Sequence, residues 1–370
     1  MNMVSHQKLT SKLNNNSMKF HLVSGGCGFV GRNMVKRILD TTNDSVFMVD
    51  DLSIGRHPSE WLGGYKSVWL DDLEIIGEQK RLYFWKGDFR NLLFYMRENP
   101  RYLQERYHLD FEKFSDVYHF AAIVGGRMKI EGDPMVVALD LSIDAEFFYW
   151  VTQHKPARVL YPSSSAAYPI SLQTTDEAVA LSEGDIDFNK NLGTPDMTYG
   201  WSKLTGEFLA HIAAKHYGVS VVCIRPFSGY GEDQELSYPV PAIAARAAGL
   251  EDPFEVWGSG KQGRDFVHID DVIDFIHLLM DHVNDGSAYN IGSGRLTSFL
   301  ELIEVFADIA GYNPTIKPLL DKPVGVHSRY ANMTLVNEKF GWKPKISLRE
   351  GMERVYRKQL QRINENKDRM

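Results

Sequence analysis

Phe20-His21-Leu22-Val23-Ser24-Gly25-Gly26-Cys27-Gly28-Phe29-Val30-Gly31-Arg32 is the stretch that decides the fold. Its first five residues read as a short buried strand, which empties into glycines at 25, 28 and 31. From Arg32 onward Met34, Val35, Ile38 and Leu39 fall at helical spacing. A glycine turn between a strand and a helix offers an anion free N–H groups and the positive end of a helix, with room for close approach. A tight turn with a purely structural role would read the same way.

The pattern continues outward. A second strand over 45–49 ends in Asp50-Asp51, and strand-like runs follow at 82–85, 117–120, 158–161 and 219–224. Helical stretches lie between them, notably 135–153 and 202–217. Strands alternating with helices predict an α/β fold with a doubly wound parallel sheet. After Arg225-Pro226 the elements shorten, which points to a smaller cap. The expected organisation has a polar, disordered leader at 1–18 and a dinucleotide-binding domain at 19–225 that also takes back about 262–292. The cap comprises 226–261 and 293–360, and a polar tail fills 361–370. Residues 59–76 are poorly periodic and are expected to be a surface insertion.

Bulk properties narrow the function classes. The chain has 370 residues, 44% hydrophobic and 24% charged, enough for one large domain or two sharing a core. A formal net charge of −7 offers no long-range attraction to nucleic acid or an anionic membrane, so an anionic ligand must be held by local donors. Two cysteines, Cys27 and Cys223, make a disulfide framework improbable and fit a reducing, cytoplasmic setting. No apolar run approaches the roughly 20 residues of a membrane span, and the N-terminus lacks a signal-peptide core. Twelve scattered histidines show no metal-ligand spacing with an acidic partner, so no metal is expected.

Asp50 lies 19 residues beyond Gly31 at the end of the second strand, where a carboxylate can accept from both hydroxyls of a ribose. Its charge would repel a 2′-phosphate, which favours NAD over NADP; Arg32 and Arg56 keep NADP as the lesser option. Asp88, after the third strand, reads equally as an adenine contact and as a helix N-cap. Tyr199 and Lys203, four apart at a helix start, share one face. A phenol is a weak base near neutral pH, and a neighbouring Lys⁺ favours its ionised form. An amphipathic helix start would explain the spacing too. Upstream, Tyr161-Pro162-Ser163-Ser164-Ser165-Ala166 leaves a strand, and a serine at a strand's C-terminal end faces the ligand crevice of an open sheet.

These residues, with Ala121-Ala122, Arg225-Pro226 and the block Gly258-Ser259-Gly260-Lys261-Gln262-Gly263-Arg264-Asp265-Phe266-Val267-His268-Ile269-Asp270-Asp271, resemble the extended short-chain dehydrogenase/reductase family, its NAD-dependent epimerase/dehydratase group. The likeness runs over about 19–348. It implies a Rossmann-like fold, bound NAD, a nucleotide-sugar substrate, and a homodimer built on the apolar helices at 135–153 and 202–217. By resemblance, Gly25, Gly28, Phe29, Val30, Gly31, Asp50, Asp88, Ala121, Ala122, Tyr199, Lys203 and Pro226 hold the cofactor, and Ser164, Tyr199 and Lys203 are catalytic. Gly126, Arg127, Ser165, Ser228, Arg264 and Arg329 meet the substrate, the last two arginines as diphosphate clamps. Val124-Gly125-Gly126, Tyr168-Pro169 and Gly325-Val326-His327-Ser328-Arg329 are most similar to the GDP-mannose 3,5-epimerase and GDP-fucose synthase branch, which leans the base toward GDP over UDP, dTDP or CDP.

Departures from the family point to the reaction. The 4,6-dehydratases place Asp and Glu where this chain has Ser165 and Ala166, and the similar branch places a cysteine where Ala166 stands. Asp140 stands where an asparagine is usual. With Ser164, Tyr199 and Lys203 alone, oxidation followed by reduction on the opposite face remains, which is C4 epimerisation. The alternatives are a 4-keto-sugar reductase, a 3,5-epimerase or dehydratase, and a catalytically silent nucleotide-binding protein. The second of these would recruit Arg127, Lys129, Asp196, Asp233, Glu235 or His268 as acid or base.

Overall fold

β1 (Phe20–Ser24) is buried along its whole length and pairs in parallel with β2 (Ser45–Asp50), Leu22 lying opposite Phe47. The 13-residue α1 (Phe29–Thr41) makes the crossover between them, with Met34, Val35 and Ile38 on its buried face. The computed structural model describes residues 18–123, 131–174 and 177–367. Within them β5 (Leu82–Lys86), β6 (Asp116–His119), β7 (Arg158–Pro162), β9 (Val221–Pro226) and β14 (Asp285–Ile291) complete the parallel sheet. Its order is β14-β9-β7-β6-β1-β2-β5, reversing direction of growth at β1, as a doubly wound sheet does. Strands covered on both faces read as continuous apolar runs, which is why they were legible.

Helices cover both faces. One apolar core joins Val23, Met48 and Tyr118 to α1 and to α8 (Ile269–His282). The other joins Leu22, Phe47 and Val117 to α2 (Phe89–Glu98), α3 (Tyr102–Tyr107), α5 (Asp140–His154) and α6 (Met197–Tyr217). The stretch expected as one helix over 135–153 is broken into α4 (Pro134–Val137) and α5, while α6 begins five residues before the expected 202. Residues 59–76 differ most from expectation. They carry a hairpin, β3 (Ser67–Leu70) and β4 (Leu73–Ile76), and β4 pairs antiparallel with β5, extending the sheet to nine strands. Strands of four residues are too short to display an alternating pattern, yet Leu73 and Ile76 are buried.

Beyond β9 the chain builds small sheets. β10 (Ser228–Tyr230) pairs with β13 (Phe266–His268), and β11 (Phe254–Trp257) with β16 (Ile316–Leu319). β12 (Gly263–Arg264) lies between β15 (Thr297–Ser298) and β17 (Ser328–Ala331), and β17 also pairs with β8 (Ala180–Leu181). A third core, including Val240, Phe254, Leu302, Phe306 and Met352, forms among α7 (Pro239–Ala248), α9 (Phe299–Ala310) and α11 (Leu348–Lys367). α10 (Thr334–Phe340) leads to Trp342, whose ring stacks on Phe275 of α8 at 4.3 Å.

A buried polar network ties the main sheet to the small one. Arg225 on β9 donates twice to Glu207 of α6, at 2.9 and 2.7 Å, and once to Tyr168. The Tyr168 hydroxyl donates to Asn290 of β14, and the Asn290 amide donates to the carbonyl of Leu181 on β8. Ser163 donates to the same Glu207 carboxylate. Removing one partner of a buried ion pair leaves the other charge uncompensated, at a cost of about 3–5 kcal/mol. Glu207→Gln is therefore expected to lower the denaturant midpoint by a margin equivalent to about 3 kcal/mol. An unchanged midpoint would show that the network carries no stability.

Candidate active site

The turn after β1 is closed by two backbone approaches. Gly25 has φ +66°, and a Cβ there would lie 2.6 Å from the Ala121 backbone nitrogen. A Cβ on Gly31 would lie 2.2 Å from the Gly25 carbonyl oxygen, so helix and turn meet only because no side chain intervenes. α1 has no side-chain N-cap and no acidic residue in its first turn. The Gly28 N–H donates to the Gly25 carbonyl at 3.1 Å, and the first helical N–H groups, at Phe29, Val30 and Gly31, are suited to an anionic partner. Asp50 closes the other side: its carboxylate accepts from the N–H of Cys27 at 2.9 Å and of Leu52 at 2.8 Å. Burial raises its carboxyl above the usual range, against those backbone donors. Uncapped helix, glycine cradle and a carboxylate at the next strand end fit a dinucleotide.

Arg32 and Arg56 serve elsewhere. Arg32 is fully buried, with Asp233 at 2.7 Å and Glu235 at 3.1 Å, and Arg56 pairs with the same two carboxylates. They hold the loop after β10 against the turn, so neither offers itself to a 2′-phosphate. Asp88 caps α2 through the N–H of Arg90 at 2.8 Å and also binds that arginine's side chain. The cap is compatible with a contact to the cofactor as well.

Of the three serines after β7, Ser163 is buried on Glu207 and Ser165 is buried among the loop, while Ser164 is partly exposed. Ser164 accepts the N–H of Ala166 at 3.1 Å, leaving its hydroxyl proton available for donation. Tyr199 is also partly exposed, on the first turn of α6. Lys203 is buried one turn on, its Nζ 5.8 Å from the Tyr199 ring centre and 5.7 Å from that of Tyr161. Burial would lower the Lys203 ammonium, but Asp140, Asp144 and Tyr199 together outweigh it and raise the group above its ordinary range.

Arg264 and Arg329 stand directly opposite each other on the paired strands β12 and β17. Arg264 donates to the carbonyls of Gly263 and Val326 and lies 5.9 Å from the Phe299 ring centre. Arg329 binds Gln173 and, at 2.7 Å, Asp196, the residue that precedes α6. The rest of the long block is structural: Asp265 gathers N–H groups of Ser293, Gly294 and Ala331, and His268 caps α8 through Asp270. Ala121 and Ala122 follow β6, Pro226 ends β9, and Ser228 begins β10, all partly exposed. Gly126, Arg127 and Lys129 lie outside the described residues.

Two groups escaped the sequence reading. Tyr238, next to α7, is half-buried and within electrostatic reach of Tyr199; burial first, then Tyr199 and Glu235, push its phenol up to about 12. His119, Asp144 and Tyr161 form a buried chain behind Lys203. Their partners are 17 to 95 residues apart, so no local spacing could reveal them.

Residues 21–292 match the model of the NAD dependent epimerase/dehydratase family. The chain is a member of that family, an enzyme of the extended short-chain dehydrogenase/reductase kind, and its cofactor is NAD. It is 25% identical over 344 residues to an uncharacterized UDP-glucose epimerase of Bacillus subtilis (strain 168), covering 90% of this chain and 95% of that one. It is 29% identical over 209 residues to a putative GDP-L-fucose synthase of Oryza sativa subsp. japonica, a match that spans 54% of this chain and 58% of the rice protein. Among solved structures it resembles the UDP-glucose 4-epimerase of Thermotoga maritima (TM-score 0.73, 22% identity, 93% and 99% of the two chains). It also resembles the UDP-glucuronic acid 4-epimerase of Bacillus cereus (TM-score 0.71, 23% identity, 92% and 99%). At these identities the structural likeness is one of fold.

Gly31→Ala places a methyl group on the Gly25 carbonyl and is expected to abolish NAD binding, measured by calorimetry on the folded protein. Binding of wild-type strength would contradict the cradle.

Proposed function

We propose that this protein is a nucleotide-sugar 4-epimerase that keeps NAD bound and uses it twice in each turnover. The observation that carries the reading is how few acid or base groups the described residues bring to the site. Ser164 and Tyr199 are partly exposed and Lys203 lies one turn beyond Tyr199, whereas position 166 is an alanine buried beside a buried Ser165. Among the described residues, the other groups weighed as acid or base are committed: Asp233 and Glu235 to Arg32, Asp196 to Arg329, and His268 to Glu232 at 3.1 Å. Cys27 and Cys223 are buried, and burial raises both thiols far above the range of a working base.

In this reading Tyr199 takes the proton of the C4 hydroxyl and later returns it, with the Lys203 charge favouring the ionised phenol. Ser164 donates its hydroxyl proton to the sugar oxygen and holds its position. NAD, when bound, accepts the hydride. The α1 N-terminus and Asp50 hold NAD, with Ala121, Ala122, Asp88 and Pro226 along its length. Arg264 and Arg329 take the substrate diphosphate through their forked donors; to do so Arg329 must share or exchange Asp196. Residues 19–225 with about 262–292 form the dinucleotide half, and 226–261 with 293–360 the sugar-nucleotide half. Re-reduction on the opposite face requires only that the keto sugar turn over between the halves.

The second reading, a keto-sugar reductase, is favoured by the rice relative's name and by 28% identity over 246 residues to a dTDP-4-dehydro-6-deoxy-D-allose reductase of Streptomyces sp. Incubation in deuterium oxide without added cofactor, against GDP-, UDP-, dTDP- and CDP-sugars, separates the two by proton NMR. The epimerase gives a C4-inverted product with no solvent deuterium on any ring carbon. Deuterium at C3 or C5, a 4-keto-6-deoxy product, or turnover only with reduced cofactor and a keto sugar would overturn it. Tyr199→Phe is expected to lower turnover by about 10²–10⁴ while NAD binding persists, and a near wild-type rate would remove Tyr199 from the chemistry.

The homodimer belongs to the same proposal. Phe147, Phe148 and Trp150 are buried in the chain, but Leu141 and Tyr149 of α5 and Trp201 and Phe208 of α6 are exposed on two helices that pack together. Such a patch suits a second copy. Light scattering is expected to give twice the 42.2 kDa chain mass, falling to one chain in Trp201→Glu; a monomeric wild type would contradict it.

A further inference from the structure

Lys203 cannot be buried without an anion, and two are provided. Asp140 lies 3.9 Å from its Nζ, and both side chains are almost wholly buried. Asp140 is itself placed by the N–H of Ile123, which donates to its Oδ1. Asp144 follows one helical turn later, between the Tyr161 hydroxyl at 2.6 Å and His119 Nε2 at 3.1 Å. Burial lowers the His119 imidazole below its ordinary range, against Asp144, so the ring is neutral. An ionised carboxylate only accepts, so the ring proton sits on Nε2, and Nδ1 accepts from the Ser24 hydroxyl at 2.8 Å. Among the described residues, the charged or titratable groups facing Lys203 are therefore Asp140 and Asp144 on α5, Tyr199 on its own helix and Tyr161 on β7, with His119 on β6 behind Asp144.

Asp140 stands where the resemblance implies an asparagine. An asparagine would accept the Ile123 N–H equally well through its amide oxygen. What the acid adds is charge, delivered beside the Tyr199–Lys203 pair. An oxidised nicotinamide is cationic and a reduced one neutral, so a carboxylate near that pair acts on the two forms differently.

We propose that Asp140 is a positioning residue whose charge holds the Lys203 ammonium in place and tilts the site toward oxidised over reduced NAD. The inference rests on Tyr199 and Lys203 marking the hydride-transfer site, not on the choice of sugar or of carbon. A site with that bias drives the hydride back onto a keto sugar, which an enzyme with no net redox change requires.

The test is the ratio of the dissociation constants for reduced and oxidised NAD, measured by calorimetry on the full chain. Asp140→Asn is expected to cut the preference for the oxidised form by about tenfold, in protein whose circular dichroism spectrum shows it folded at the temperature of the measurement. Asp140→Glu, which keeps the charge, is expected to keep most of that preference. An unchanged ratio in the asparagine variant overturns the proposal, as does an equal loss in the glutamate variant, which would assign the effect to packing. If the wild-type chain binds neither form, the site reading falls with it; if it binds both but produces no epimer, only the choice of reaction falls.

Discussion

An ammonium taken out of water must be given countercharge, and that constraint organises the centre of this protein. The cost of burying an isolated charge is large enough that an unpaired lysine would lose its proton. Lys203 keeps it because Asp140 and Asp144 line the neighbouring helix. Those two carboxylates bring their own partners: Ile123 after β6, Tyr161 on β7, and His119 on β6, which reaches Ser24 at the end of β1. Three adjacent strands and two helices are thus fixed by the demand of one positive charge. The Ser24 hydroxyl also accepts the N–H of Ala121 at 3.2 Å, so the chain ends where the glycine turn begins. The lysine beside the phenol and the cradle for a pyrophosphate are two ends of one hydrogen-bonded structure.

A second buried ion pair does comparable work one strand away. Arg225 and Glu207 lie under the loop that carries Ser164, and through Tyr168 and Asn290 they reach the small sheet that presents Arg264 and Arg329. The placement of the small sheet against the main one therefore depends on polar contacts between residues up to 122 apart in sequence. Apolar packing supplies the mass of the fold, while these networks tie the sheets to one another.

This division explains what could be read from the sequence. Parallel strands buried on both faces leave long apolar runs, so the sheet and the turn at Gly25, Gly28 and Gly31 were legible. The placement of Tyr199 and Lys203 one helical turn apart was legible too, because helix geometry fixes it locally. The hairpin at 67–76 was not, since four-residue strands carry too little pattern and its partner β5 is needed to define it. Arg32 left NADP open as the lesser option because its partners, Asp233 and Glu235, lie 201 and 203 residues away and could not be seen from the sequence. Arg329 is an intermediate case: its register opposite Arg264 fits the expected clamp, and its pairing with Asp196 was invisible from sequence.

The central claim is that one bound cofactor removes a hydride from a sugar carbon and returns it to that same carbon. A nucleotide-sugar carrying deuterium at C4 tests this most directly, turned over by the protein as purified, in ordinary water with excess unlabelled NADH outside the site. The account predicts a C4-inverted product that retains its deuterium at C4. Loss of the label to the external cofactor pool, or a product with hydrogen at C4, would mean that the cofactor exchanges during turnover and that the hydride removed is not the one returned, which contradicts the account.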